Sequence, residues 1–179
     1  MFQNYYQQLR TKQIHQMENE FFDACKQGNC IKIQDLLPQI SSKRESREFY
    51  FQGFAGIHYA AYYGQLEAFQ LLFDHQKHMK TINEIMVVSK QHDYIHSLPP
   101  KLNCLELAII NAKLEVIKYI STIFQQNYGL FLKNKTQKRR LIQLLQKGNN
   151  QIQKFVQQEI LEQFKVQKVK DGSLLCEFQ

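Results

Sequence analysis

Helix-breaking residues are scarce in this chain: three prolines and seven glycines among 179 residues. That scarcity excludes a loop-rich architecture and predicts a helical chain with few long connections. No apolar run approaches the length of about 18 residues that a membrane-spanning helix needs, and the first residues lack the apolar core of a secretory leader. Residues 1–17 contain no acid and carry Arg10 and Lys12, a faint mitochondrial-presequence pattern. The segment has one arginine and no serine, so the expectation is a first helix with Phe2, Tyr6 and Leu9 packed on the body of the domain. The four cysteines, Cys25, Cys30, Cys104 and Cys176, form no CxxC pair. Free thiols in a reducing compartment follow. An intracellular, cytoplasmic location is expected, with mitochondrial and nuclear locations as alternatives.

Acidic residues are missing from one long stretch. Between Val116 and Gln158 there is no Asp or Glu, while Lys118, Lys133, Lys135, Lys138, Arg139, Arg140, Lys147 and Lys154 lie there. These eight charges exceed the net charge of +7; the other 15 basic residues face 16 acidic ones. Lys133 to Arg140, KNKTQKRR, is the dense part. It reads as a phosphate-binding patch, a contact for an acidic protein, a nuclear localisation signal or a solvated loop, because one-sided charge steers association. No helix-turn-helix, zinc-finger or RNA-recognition motif accompanies it.

What is present argues for one folded domain. A hydrophobic content of 44% and an aromatic content of 12% exclude disorder, and the length suits a single core. Glutamine is frequent, about one residue in seven, but it is spread along the chain and forms no tract.

Internal repetition is the strongest signal. Gly53 to Leu72 reads GFAGIHYAAYYGQLEAFQLL. Asn19 to Leu37, NEFFDACKQGNCIKIQDLL, and Asn103 to Ile120, NCLELAIINAKLEVIKYI, repeat its small pair, turn and apolar second half. Leu141 to Val156, with a turn at Gly148, is a worn fourth copy. Each copy reads as two short helices around a tight turn, with Gly28, Gly64 and Ala112 at the turn. Asn103 and Glu106 have the spacing of a capping box. No single unit can bury its apolar face, so the units must stack.

Gly53, Ile57, His58, Ala60, Ala61, Gly64, Glu67 and Leu71 fall on positions that resemble an ankyrin repeat, with Ala55 and Gly56 where Thr and Pro usually stand. The resemblance covers about residues 18–160. It implies an all-α fold: an ankyrin-type helical-repeat solenoid with three recognisable repeats, a degenerate fourth and terminal extensions. The expected organisation is an N-terminal helical extension over 1–17, a repeat domain over 18–165 with an insertion at about 74–102, and a C-terminal arm over 166–179. Within the insertion, Thr81 to Gln91 is apolar enough for a short helix or strand. The arm reads as a small hairpin around Asp171-Gly172 or an extension onto a neighbour.

The resemblance also implies function. Such arrays bind proteins and rarely catalyse, so the expectation is a non-enzymatic interaction module, an adaptor or structural subunit of a larger assembly. The residues after each small pair would face the partner: Lys26, Tyr62, Tyr63, Ile110 and Asn111, an amphipathic patch with a cationic side at Lys26. The segment SSKRESREFYFQG offers a second surface, with Phe49, Tyr50, Phe51 and Phe54 divided between core and contact. His58 would hydrogen-bond neighbouring backbone and fix the turn. As a general base it lacks a nucleophile and orienting acid that the sequence could pair with it. His75, His78, His92 and His96, with Cys104 following, match no standard zinc spacing; no metal and no cofactor are expected. The alternative reading is a basic subunit of a nucleoprotein assembly that contacts RNA or DNA through Lys133, Lys135, Lys138, Arg139 and Arg140.

Overall fold

The computed structural model describes residues 2–40, 45–82, 85–88, 95–127, 135–146 and 149–161. The fold is predominantly helical. In chain order α1 is Phe2–Gln27, α2 Cys30–Leu36, α3 Gly56–Tyr63, α4 Leu66–Gln76, α5 Cys104–Ile110, α6 Leu114–Asn127, α7 Lys135–Gln146 and α8 Asn150–Phe155, followed by a π-helical turn over Val156–Leu161. A two-stranded antiparallel ribbon, β1 Ile85–Val88 and β2 Ile95–Leu98, lies between α4 and α5, with Ile85 opposite Leu98. Of the two expectations for Thr81 to Gln91, helix or strand, the strand is the one formed.

Helices pair along the chain, α1 with α2, α3 with α4, α5 with α6 and α7 with α8, and the pairs stack. The first members form one row, α1–α3–α5–α7, and the second members another, α2–α4–α6. The core runs between the rows, filled by Phe21, Ile33, Phe54, Ile57, Phe69, Leu72, Leu102 and Leu105.

The turns explain why the pairs close alike. Gly28 and Gly64 adopt φ of +73° and +82°, the left-handed region that glycine enters without steric penalty. The residue after each returns its N–H five residues back: Asn29 to the Ala24 carbonyl and Gln65 to the Ala60 carbonyl, both at 2.9 Å. Ala112 takes φ of +54° without being glycine, and Lys113 bonds the Ala108 carbonyl at 2.8 Å. All three are Schellman closures. The three alanines are thus more than small packing residues, since each accepts the bond that ends its helix.

Two expectations need correcting. First, α1 is one uninterrupted helix of 26 residues, because no Gly or Pro stands between Phe2 and Gly28. The extension over 1–17 is therefore continuous with the first repeated unit. Second, two of the residues expected to pack there stay largely exposed, Tyr6 at 68% and Leu9 at 41%. The buried face of α1 carries Glu18, Phe21, Phe22, Ala24 and Cys25, and Leu9 lies on the opposite side of the helix.

The links between units are specific. Gln65 Nε2 donates to the Lys26 carbonyl at 2.8 Å, one of the orphan acceptors at the end of α1. Gln76 accepts from the Ile57 N–H at 2.8 Å, tying the end of α4 to the start of α3. A Cβ on Gly56 would come within 2.9 Å of the Phe21 ring and 3.0 Å of Cys25 Sγ, so α1 and α3 meet where the chain has no side chain. Before α3, Ser46 and Phe54 close a loop through Ser46 N–H to the Phe54 carbonyl at 2.6 Å. Before α5, Thr81 and Leu102 are also joined, the Thr81 N–H reaching the Leu102 carbonyl at 3.0 Å. β1 adjoins the 3-10 turn Phe49–Phe51 of the preceding loop.

Candidate partner-binding surface

The residues expected to face a partner come together, and the loop before α3 joins them. Lys26 ends α1, Tyr62 and Tyr63 end α3, and Ile110 and Asn111 end α5, all on the row of first helices. Tyr63 is 38% exposed, and Tyr62, Ile110 and Asn111 are half-buried. Burial raises the pKa of the Tyr62 phenol, and Asn111 acts in the opposite direction.

The sequence separated this surface from the aromatic loop, but in space they are one. The Phe51 ring lies 5.3 Å from Tyr62, 5.4 Å from Tyr59 and 6.2 Å from Tyr63. Tyr62 and Tyr63 are 5.3 Å apart. Of the loop's rings, Phe54 is fully buried, Phe51 half-buried and Tyr50 exposed, and the Phe49 side chain lies outside the described residues. Edge-to-face contacts of this kind hold aromatic side chains rigidly.

Lys26 departs from its expected role. Its ammonium bonds Glu48 at 2.7 Å and Asp23 at 3.1 Å, and stands 5.1 Å from the centre of the Tyr59 ring. Burial depresses its pKa, but bonds to Glu48 and then Asp23 outweigh this and raise it. The ammonium is therefore fully compensated, and this side of the patch is not cationic. Sequence reasoning missed Asp23, Ser46, Glu48 and Tyr59. The Tyr59 hydroxyl lies 2.7 Å from Ser46 Oγ and 3.0 Å from Glu48; burial pushes its pKa well above the ordinary phenol value. The spacing of Glu48 and Tyr59 from Lys26 in sequence carried no signal, since the loop conformation alone brings them together.

His58 is fully buried. The Ala55 N–H donates to its Nδ1 at 3.0 Å, which leaves Nε2 as the donor to the Met79 carbonyl at 3.2 Å. Burial lowers its pKa from the ordinary 6.5 to about 4, partly opposed by the Met79 bond. The neutral ring bridges the start of α3 and the segment after α4, so the expected backbone-fixing role describes its geometry.

The basic segment is less uniform than its sequence suggests. Arg140 forks onto Glu106, Nε to Oε1 at 2.6 Å and Nη2 to Oε2 at 2.8 Å, and also donates to the Lys101 carbonyl at 2.9 Å. Glu106 is only 1% exposed and completes the expected capping box with Asn103. Arg140 is thus engaged within the fold. Arg139 is exposed and Lys138 half-buried on α7. Lys133, the Lys135 side chain, His92, Gly148 and the arm over 166–179 lie outside the described residues.

Among the described residues, no three His, Cys, Asp or Glu side chains gather as a metal site would require. Cys25, Cys30 and Cys104 are free thiols, and burial pushes Cys104 up to about 12. Among the described residues, no helix is long and apolar enough to cross a membrane. No protein-family model matches the chain, and no curated protein matches it.

Proposed function

We propose that this chain is a non-enzymatic protein–protein interaction module, an adaptor or structural subunit of a larger assembly, built as an ankyrin-type solenoid. The observation that carries the fold reading is the repeated closure at Ala24, Ala60 and Ala108, combined with the stacked rows of helices. Three or more stacked units are what such an array needs for stability. The α7–α8 pair is then the degenerate fourth unit.

The docking face is the concave row of first helices, centred on Tyr62 and Tyr63 with Phe51 beside them. Rigid, half-exposed tyrosines present a large contact area and lose little entropy on binding. His58 has both ring nitrogens on backbone partners, which suits a structural role and not general-base chemistry.

Affinity purification of the tagged protein from its own cells, with and without nuclease, tests this reading. The expected result is a fixed set of proteins that survives nuclease and falls away when Tyr62 and Tyr63 become alanine. A second reading keeps one specific support, the acid-free stretch from Val116 to Gln158. If the captured set disappears with nuclease and weakens steeply with salt, the chain is a nucleic-acid-contacting subunit, because phosphate contacts release counterions.

A further inference from the structure

We propose that the start of the helix row is a second docking surface, on which the outer strip of α1 around Leu9 receives an acidic amphipathic helix of a partner protein. It is separate from the face at Tyr62 and Tyr63 and does not depend on it.

Exposure is the first argument. Every residue from Tyr6 to Ile14 is exposed, and three of them are large and apolar: Tyr6 at 68%, Leu9 at 41% and Ile14 at 36%. At the far end of the row, α7 and α8 expose no large apolar side chain among the described residues. A terminal unit of a stacked array ordinarily has a polar outer face. The last unit meets that requirement and the first does not.

Position is the second. A Cβ on Gly56 of α3 would meet Phe21 and Cys25, which fixes the side of α1 that faces α3. By the helical period Leu9 stands on the opposite side, where a further helix would continue the row α1–α3–α5–α7. The sequence has apolar residues at 2, 5, 6 and 9, the spacing of one helical face. Written as a heptad, Phe2 and Leu9 take d and Tyr6 takes a. Gln13 and Gln16 take the next a and d, so the apolar seam ends there.

Charge selects the occupant. In the same register Arg10 falls at e and Lys12 at g, on either side of the seam, and residues 1–17 contain no acid. Both side chains are exposed, and neither pairs with an acid among the described residues. Charges at e and g set partner choice. A second copy would bring the same cations against them, on a chain already at +7. A helix with Glu or Asp at its own e and g positions pairs with them instead. A helix lying on an anionic membrane has a polar face rich in Lys and Arg, whereas the side opposite this seam carries Gln7, Gln8 and Thr11.

The test uses the full chain and a fluorescein-labelled helical peptide designed with Ile at every a, Leu at every d and Glu at every e and g position. Binding is read by anisotropy at physiological salt, and the matching peptide with Lys at e and g is the control. The acidic peptide is expected to bind and the basic one not. Leu9→Ala, at an exposed position, should weaken binding by at least about fivefold. Arg10→Glu together with Lys12→Glu should reverse the preference between the two peptides. Arg139→Glu, a charge reversal elsewhere on the chain, should leave binding unchanged, and so should the Tyr62→Ala, Tyr63→Ala double variant. Failure of the acidic peptide to bind, or binding indifferent to Leu9 and to the charge reversal at Arg10 and Lys12, would overturn the proposal. A dimer in sedimentation equilibrium that Leu9→Ala dissociates would also overturn it, making the occupant a second copy. Leu9-dependent binding to vesicles of phosphatidylcholine and phosphatidylserine, in place of peptide binding, would overturn it in favour of a membrane surface.

Discussion

The second and third units, α3–α4 and α5–α6, solve the same structural problems with different residues. At the third position of the first helix, unit two has His58 and unit three Glu106. Each reaches back to the N–H at the start of its helix, of Ala55 at 3.0 Å and of Asn103 at 2.8 Å. His58 remains neutral and attaches to the Met79 carbonyl of its own unit's exit. Glu106 pairs with Arg140 from the following unit. At the turn, unit two has Gly64 and unit three Ala112, both with positive φ. The comparison teaches that the two helix pairs share a backbone geometry while the means of satisfying it vary. The cap of unit two closes within its own unit, whereas the cap of unit three depends on Arg140 of the next pair, and the turn of unit three is the strained one.

The largest effect should come from breaking the dependence of unit three. Arg140→Ala leaves the Glu106 carboxylate buried without its cation, an arrangement that costs about 3–5 kcal/mol. Urea unfolding should show that loss, and Glu106→Gln introduced with Arg140→Ala should recover part of it, because the uncompensated charge is gone. If Arg140→Ala alone were neutral, the contrast between a charged and a neutral cap would have no energetic content.

Acid sharpens the same contrast from the side of unit two. The folded pKa of His58 lies near 4 and the ordinary value is 6.5. Above the ordinary value both states are neutral and the stability is fully present. As pH falls below it, the unfolded chain takes up a proton that the folded one refuses, and stability declines until the folded pKa is reached. The integrated loss is on the order of 3 kcal/mol. His58→Gln lacks this term. The stability difference between wild type and the variant should therefore shrink as pH is lowered through that window, measured by urea titration at several pH values. A constant difference would mean that His58 is accessible to protons in the folded chain.

How much of this could be read beforehand depended on the range of the interaction. The turns at Gly28 and Gly64, the cap of Asn103 and Glu106 and the small residues Ala24, Ala60 and Ala108 are local, and period and residue type disclosed them. The placing of Tyr62 and Tyr63 on a shared surface came from the ankyrin resemblance. Contacts made by the loop before α3 were not legible, because nothing in the spacing of Asp23, Lys26, Glu48 and Tyr59 reveals that Ser46 and Phe54 bond each other. For the same reason Lys26 read as an open cation and Arg140 as one member of a charge run. The packing of Leu9 was misjudged because its apolar character was assumed to require burial in the core.

Packing between units one and two offers a smaller test. Gly56 lies against the Phe21 ring and Cys25 Sγ, at 2.9 and 3.0 Å from where a Cβ would stand. Gly56→Ala should destabilise by about 1–3 kcal/mol, the usual range for overpacking a close contact. The same substitution would gain helix propensity if the site were open, so a stabilised variant in thermal melts would show that α1 and α3 separate more readily than their packing implies.

The smallest expected change concerns the two turns. Gly64 sits at φ +82° without penalty, whereas Ala112 holds φ +54° against the clash of its Cβ with the backbone. Ala112→Gly relieves that clash but lets the unfolded chain explore more conformations, an opposing term. The net should be a gain of about 0.5–1 kcal/mol. The neighbouring closure, Lys113 N–H to the Ala108 carbonyl at 2.8 Å, is unaffected by the change, so the gain reports on the turn alone. Gly64→Ala is its mirror image, with an added difficulty: its Cβ would meet the Lys113 side chain at 2.7 Å. That contact involves the flexible stem of a lysine, which can move aside. The two substitutions should therefore shift the unfolding midpoint in opposite directions, with the loss at Gly64 the larger. Equal and opposite shifts would mean that Lys113 yields freely. A loss at both positions would show that the alanine at unit three is held by packing that glycine cannot supply.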